Sequence, residues 1–233
     1  MKQLFIPIFL IFGFTGAKAQ HRRVIQFNID KLLNARPVTV LNHNGLVSWT
    51  KGIDGGGMAD GYLTQSAALF NGDKNPHALP DNPIFEANGS HPEIKLHYSN
   101  SGSNSNQACV ITGAGEVEFT VLKGKYSSIF LALTSAEGPS AISVRLQYEQ
   151  DVTTTDLMVP DYYHYIRPDD PNFSYLAHDL AKWGNKNNMT EKDHHNIDLL
   201  KITPNPAWKL KSIRINKTSS GYLVFWAAAG IRK

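Results

Sequence analysis

Between Pro160 and Phe173 the chain reads PDYYHYIRPDDPNF, and Asp161-Tyr162-Tyr163-His164-Tyr165 puts an acid, a histidine and three tyrosines into a proline-bounded loop. Sugar recognition uses these residue types. Flat aromatic faces cover the apolar side of a pyranose ring, and carboxylates or amides take its hydroxyls. Trp49, Trp183 and Trp208 lie in or beside loops and offer further ring platforms, whereas Trp226 sits in a late apolar run and is expected in the core. His178 and Asp179 form an acid–imidazole couple in sequence, although adjacent residues do not face each other on a strand or a helix. The expected ligand contacts are Trp49, Asp161, Tyr162, Tyr163, His178 and Trp183, with the 45–62 loop beside them.

That loop, GLVSWTKGIDGGGMADGY, carries Asp54 and Asp60 on either side of a glycine run. Two carboxylates on a loop of such freedom can wrap a calcium ion, with carbonyl oxygens completing the shell. The spacing is not that of an EF-hand: Ala59 stands where its glycine belongs, and Gln65 where a bidentate Glu would close the loop. A plain glycine-rich turn is the competing reading. His194 and His195 in EKDHHNID point to opposite faces of an extended chain, so joint metal binding there needs a turn. A glycan hydrolase or lyase could draw on Asp161, Asp179 and one or more of His77, His178 and His195. No HExxH, GxSxG, Walker or dinucleotide glycine motif is present.

The formal net charge is +3, and Lys and Arg are scattered singly apart from Arg22-Arg23 and the terminal Arg232-Lys233. No phosphate-binding stripe results, and nucleic acid is not an expected partner. Cys109 is the one cysteine, so neither an intramolecular disulfide nor a thiolate zinc site is possible. In QACVITG it reads as a small buried hydrophobe. At the N-terminus, Met1-Lys2, an apolar run from Leu4 to Phe14 and Ala17-Lys18-Ala19 before Gln20 have the order of an export signal, residues 1–19. The run is shorter than a membrane span of about 20 residues. The expectation is a mature chain from Gln20, periplasmic or secreted, without membrane attachment after cleavage.

The elements that must hold these residues are strands. Ile142, Val144, Leu146 and Tyr148 alternate with polar residues, as do Val117, Phe119 and Val121, while Ile129–Leu133 is apolar on both faces and suits a central strand. Further strands are expected at Val24–Ile29, Pro37–Leu41, Ile94–Tyr98, Ile197–Ile202, Leu210–Ile215 and Tyr222–Ala229, the last two joined by a hairpin-like turn at Ser219-Ser220-Gly221. Ser174–Trp183 reads as a short helix, with Leu176, Leu180 and Trp183 on one face and Gly184 past its end. About ten short strands with turn-rich loops predict an all-β, antiparallel jelly-roll β-sandwich over residues 20–233 as one domain.

An N-terminal strand, a glycine-rich loop, long central strands and the closing run IDLLKI, KLKSIRI, GYLVFWAA together resemble the galactose-binding-like jelly-roll superfamily. The resemblance covers most of residues 100–230 and fits 45–98 poorly. It implies the sandwich fold and an association with carbohydrate, since many members are carbohydrate-binding modules or accessory domains of secreted glycan-degrading enzymes. The function expected is therefore a secreted carbohydrate-binding or glycan-degradation accessory protein. The alternatives are the glycan-active enzyme above and an interaction domain of an exported assembly.

Overall fold

A computed structural model describes residues 23–55, 60–74, 77–99, 102 and 105–233. The expected export signal, 1–19, and the centre of the glycine run, 56–59, lie outside the described residues. In chain order the strands are β1 (Arg23–Gln26), β2 (Val38–Asn42), β3 (Gly45–Val47), β4 (Tyr62–Leu63), β5 (Ile84–Phe85), β6 (Ile94–Lys95) and β7 (Cys109–Thr112). The long ones follow: β8 (Gly115–Gly124), β9 (Tyr126–Ala136), β10 (Ser140–Tyr148), β11 (Val152–Val159), β12 (Phe173–Trp183), β13 (Met189–Ile202), β14 (Leu210–Lys217) and β15 (Tyr222–Arg232). A single-turn helix, α1 (Gln65–Phe70), separates β4 from β5.

Two antiparallel sheets make the sandwich. One runs β1-β15-β9-β13-β12, with β7 also on β15; the other runs β11-β10-β14-β8. The alternating residues foreseen in β8 and β10 turn Phe119, Val121, Ile142, Val144 and Leu146 into the core between the sheets, against Leu131, Leu133, Ile213 and Phe225. β9 is central, as its two apolar faces require. Its odd residues Ile129, Leu131 and Leu133 enter that core, and Phe130 and Ala132 enter a second one behind the sheet. The second core is roofed by the segment from Ala35 to Tyr98, through Val38, Ile53, Tyr62, Leu79, Ile94 and Leu96. This extra layer is why residues 45–98 do not fit a plain two-sheet pattern. Cys109 is buried, its thiol pushed up to about 11 by that burial.

Two sequence expectations are corrected. Ser174–Trp183 belongs to strand β12, not to a helix. Register shifts between Tyr175 and Ala177 and between Ala177 and Leu180 bring Leu176, Ala177 and Leu180 onto one apolar face. A bulge adds one residue to a strand, and here it imitates the i, i+4 spacing of a helix. The Ser219–Gly221 turn does not close a hairpin either, because β14 and β15 belong to different sheets. It is a crossover, tied by the buried Lys217 ammonium, which donates to the carbonyls of Gly113, Ser219, Ser220 and Gly221 at 2.6–3.1 Å.

Candidate functional site: an aromatic cleft over the β12–β13 bulges

β12 and β13 pair as a hairpin whose register slips near its tip, Leu180 facing His195 but Lys182 facing Glu191. Extra residues therefore accumulate on both strands, and Asp179 (φ +59°) and His194 (φ +77°) adopt left-handed backbone. Non-glycine residues rarely hold that conformation, and where they do the surroundings impose it. Asp179 is locked from three directions: its amide donates to Asn196 Oδ1 (3.3 Å), its carboxylate takes the His194 amide (3.2 Å), and His77 Nδ1 lies 2.7 Å from its carbonyl and 3.1 Å from Oδ2. The bulges turn His178, Asp179 and His194 outward. With the 163–165 loop and Tyr175 they line a pocket of about 310 Å³, into which Asn196 also faces.

Behind the Tyr163 wall of that pocket is a cluster of three rings in mutual contact. Tyr162 and Tyr163 stack at 4.5 Å between centroids, Tyr162 stacks on His195 at 4.9 Å, and Tyr163 lies tilted against His195 at 4.8 Å. His195 is fully buried and donates through Nδ1 to the Leu180 carbonyl at 2.8 Å. Burial foremost, with the Lys182 charge beside it, holds its pKa below the usual histidine range, so it is a neutral packing ring. Tyr162 is also buried, and burial together with Asp54 raises its pKa. Tyr163 is the outer ring, 47 % exposed, and Tyr165 beyond it is 73 % exposed.

Lys182 braces the ring cluster from below. Its ammonium, 7 % exposed, lies 2.8 Å from Glu191 Oε1, 3.1 Å from Asp54 Oδ2, 3.4 Å from Asp60 Oδ2 and 3.3 Å from the Tyr162 hydroxyl. Burial alone would lower the Lys182 pKa, but hydrogen bonds to Glu191 and Asp54 and the Asp54 charge outweigh it, and the pKa is raised. Tyr162 donates to Asp54 Oδ2 (2.9 Å) and Tyr163 to Glu191 Oε2 (2.7 Å). Burial would raise the Glu191 pKa, but its bonds from Lys182 and Tyr163 hold it below the usual range. Both ring planes are thus fixed at their hydroxyl ends by carboxylates that one ammonium bridges, so little ring freedom is left to lose on binding.

The expected site residues separate into three groups. Tyr163 and His178 face the pocket. Tyr162 supports from beneath, and Asp161, 8 % exposed, is spent on the loop itself, accepting from the amides of Gly138 (2.7 Å) and Tyr163 (3.2 Å). Trp49 and Trp183 are corrected to core: they are 9 % and 0 % exposed and pack with Leu63, Ala67 and Ala68. The Trp183 indole donates to Asp73 at 2.9 Å, so neither tryptophan offers a face to a ligand.

Asp54 and Asp60, expected to share calcium, do converge, but onto the Lys182 ammonium, which stands where the ion would have to be. That pair does not fit a divalent cation without expelling a buried charge. Asp179, Asp193 and His194 bring one ligand atom each within 4.8 Å of one another at the pocket rim. Those same atoms are engaged among themselves, His194 Nε2 being 3.1 Å from Asp193 Oδ1. Residues that the sequence reading passed over are Lys182, Glu191, Tyr175 and Asn196. The one visible signal was Lys182, a lone charge between Ala181 and Trp183 in an otherwise apolar run.

No family model matches the chain, and no curated protein matches it. Among solved structures, one similar chain is TmCBM61 in complex with β-1,4-galactotriose, at 11% identity and a TM-score of 0.29, covering 60% of this chain and 82% of that one. Another is the CBM22-1–GH10 modules of the Clostridium thermocellum N-terminal endo-1,4-β-D-xylanase 10B, complexed with xylohexaose. It matches at 10% identity and a TM-score of 0.30, covering 60% of this chain and 24% of that one.

Proposed function

We propose that this chain is a carbohydrate-binding β-sandwich, and that the cleft over the β12–β13 bulges is its contact surface. The observation that carries the reading is the braced Tyr163 ring. It stands half exposed against the buried rings of Tyr162 and His195, with its hydroxyl fixed by Glu191 and the more exposed Tyr165 beside it. Asp179, His178 and Asn196 share the same pocket. A sugar ring laid on Tyr163 would bury its apolar face against the phenol and present its edge hydroxyls to the carboxylate, imidazole and amide. With residues 1–19 as an export signal, the protein meets its ligand in the periplasm or outside the cell, as an accessory to glycan degradation.

The alternative is a glycan-active hydrolase or lyase. Of the groups it would use, Asp161 and His195 are buried and bonded, which leaves His77, His178 and Asp179. The deciding experiment is retention of the chain from Gln20 onward on a panel of insoluble and gel-embedded polysaccharides, with Tyr163→Ala alongside. Retention that Tyr163→Ala abolishes in a folded protein supports the binding reading. No retention on any polysaccharide, or retention indifferent to Tyr163, overturns it. Shortening of a polysaccharide that Asp179→Asn stops would establish the enzyme instead.

A further inference from the structure

At the far end of β9 the chemistry is reversed. The strand runs from Tyr126, beside the β8–β9 crossover, to Ala136 near the aromatic cleft. At about 3.3 Å per residue this separates its ends by about 30 Å. Around Tyr126 the crossover Lys123-Gly124-Lys125, Lys209 before β14 and Arg232 at the end of β15 line one hollow of about 460 Å³. Lys125 and Lys209 also line an adjoining hollow of about 230 Å³, where Trp208 and Glu149 complete the wall.

The recess is built by the fold. A Cβ at Gly124 would lie 2.9 Å from Arg232 Nε, so the glycine leaves room for the guanidinium to lie across the crossover. Arg232 Nη2 donates to the Lys123 carbonyl at 3.4 Å. Trp208 is half buried, with its ring edge-on to Tyr148 at 5.3 Å between centroids. Glu149 is the one carboxylate side chain lining the two hollows, and Lys123 is paired with it. Lys125 and Lys209 are exposed and form no ion pair within 4.0 Å among the described residues, although the Lys209 charge, after Lys123, helps to hold the Glu149 carboxyl below its usual range. The whole chain has 23 basic against 20 acidic residues, so this positive charge is a local concentration.

We infer that the joined hollows at the β8–β9 crossover are a second binding site, for a polysaccharide bearing carboxylate or sulfate groups. Lys125, Lys209 and Arg232 would pair with its anionic substituents, and Trp208 would lie against a sugar ring. Two recesses that share a pair of lysines suit successive residues of one chain, and an aromatic wall beside unpaired cations suits a ring that carries an anion. The site stands apart from the aromatic cleft and does not depend on its function.

The test is affinity electrophoresis of the chain from Gln20 onward in gels containing polygalacturonate, dextran sulfate or uncharged dextran, with a single-stranded DNA gel in parallel. Variants are Lys125→Glu, Lys209→Glu and Trp208→Ala. The expected result is retardation by polygalacturonate or dextran sulfate, the responding gel telling carboxylate from sulfate. Combining the two charge reversals should weaken it about tenfold at low salt. Trp208→Ala should weaken it too. The reversed positions are exposed and Trp208 packs, partly buried, at the edge of the main core, so circular dichroism checks that each variant is folded. Three outcomes overturn the inference: no retardation by either anionic polysaccharide, retardation indifferent to Lys125 and Lys209, or DNA bound as strongly with no effect of Trp208→Ala. The last would mark a general polyanion surface.

Discussion

Replacing Lys182 by Met removes the charge that braces the aromatic cluster while keeping most of the side chain's volume. Three carboxylates then face one another without a cation: Asp54, whose side chain is 12% exposed, Asp60 at 24% and Glu191 at 41%. Breaking a buried pair by removing one partner typically costs about 3–5 kcal/mol, because the charge left behind is uncompensated. Glu191 is solvated enough that its share falls in the range of a surface pair, about 1 kcal/mol or less. The Asp54 contact carries most of the remainder, and about 3 kcal/mol is the expected loss. For a chain of this size that lowers Tm by about 6–12 °C.

Urea unfolding of wild type and Lys182→Met at pH 7 measures the loss directly, provided the slope with denaturant is unchanged. The sign with pH is also fixed. Glu191 has a folded pKa held below its ordinary value by Lys182 and Tyr163. Its contribution is present above the usual carboxylate range and lost as pH falls through the lowered folded value. The gap between wild type and Lys182→Met should therefore narrow below about pH 4, as Glu191 protonates. A loss under about 1 kcal/mol, or a gap that does not change with pH, would refute the bracing role assigned to Lys182.

Tyr163→Phe removes the bond to Glu191 while keeping the ring. It should cost about 1 kcal/mol of stability by urea denaturation and leave polysaccharide retention largely intact. Gly61→Ala should destabilise by about 1–3 kcal/mol, since its Cβ would meet the Pro37 carbonyl at 2.7 Å and the Trp49 ring at 2.9 Å; a wild-type melting temperature would contradict that contact. Asp198 is buried with both carboxylate oxygens unpartnered among the described residues, and burial first, then Asp161, push its pKa up to about 8. A raised folded pKa means this stabilising term is full below about pH 4 and is lost as pH rises through about 8. Denaturation midpoints should therefore fall over that window in wild type and fall less in Asp198→Asn. Equal slopes would contradict the reading of Asp198 as a buried neutral acid.

The sandwich was legible because its code is local. Alternation in β8 and β10 and the doubly apolar stretch of β9 each name a face, and burial follows from the face. What misled was geometry that breaks the period. The bulges of β12 gave Leu176 and Leu180 a helical spacing, and the crossover at Ser219–Gly221 has the composition of a hairpin turn while joining two sheets. The same limits divided the site. The Tyr-rich loop was visible by composition. Which tyrosine is outer and which is buried depends on Glu191, Lys182 and His195, brought beneath it by a hairpin whose slipped register no motif announces. Trp49 and Trp183 look like platforms in sequence because they border loops. They are core because the Ala35–Tyr98 layer, which carries Trp49, packs on the end of β12, which carries Trp183, and that is a long-range event.

The most direct test of the central claim is calorimetric titration of wild type and Tyr163→Ala with an oligosaccharide of whichever polysaccharide retains the protein. A ring face stacked on Tyr163 predicts a Kd weakened about tenfold or more in Tyr163→Ala, with the variant's melting temperature within a few degrees of wild type. An unchanged Kd in the folded variant would contradict the claim that sugar binds on the braced tyrosine.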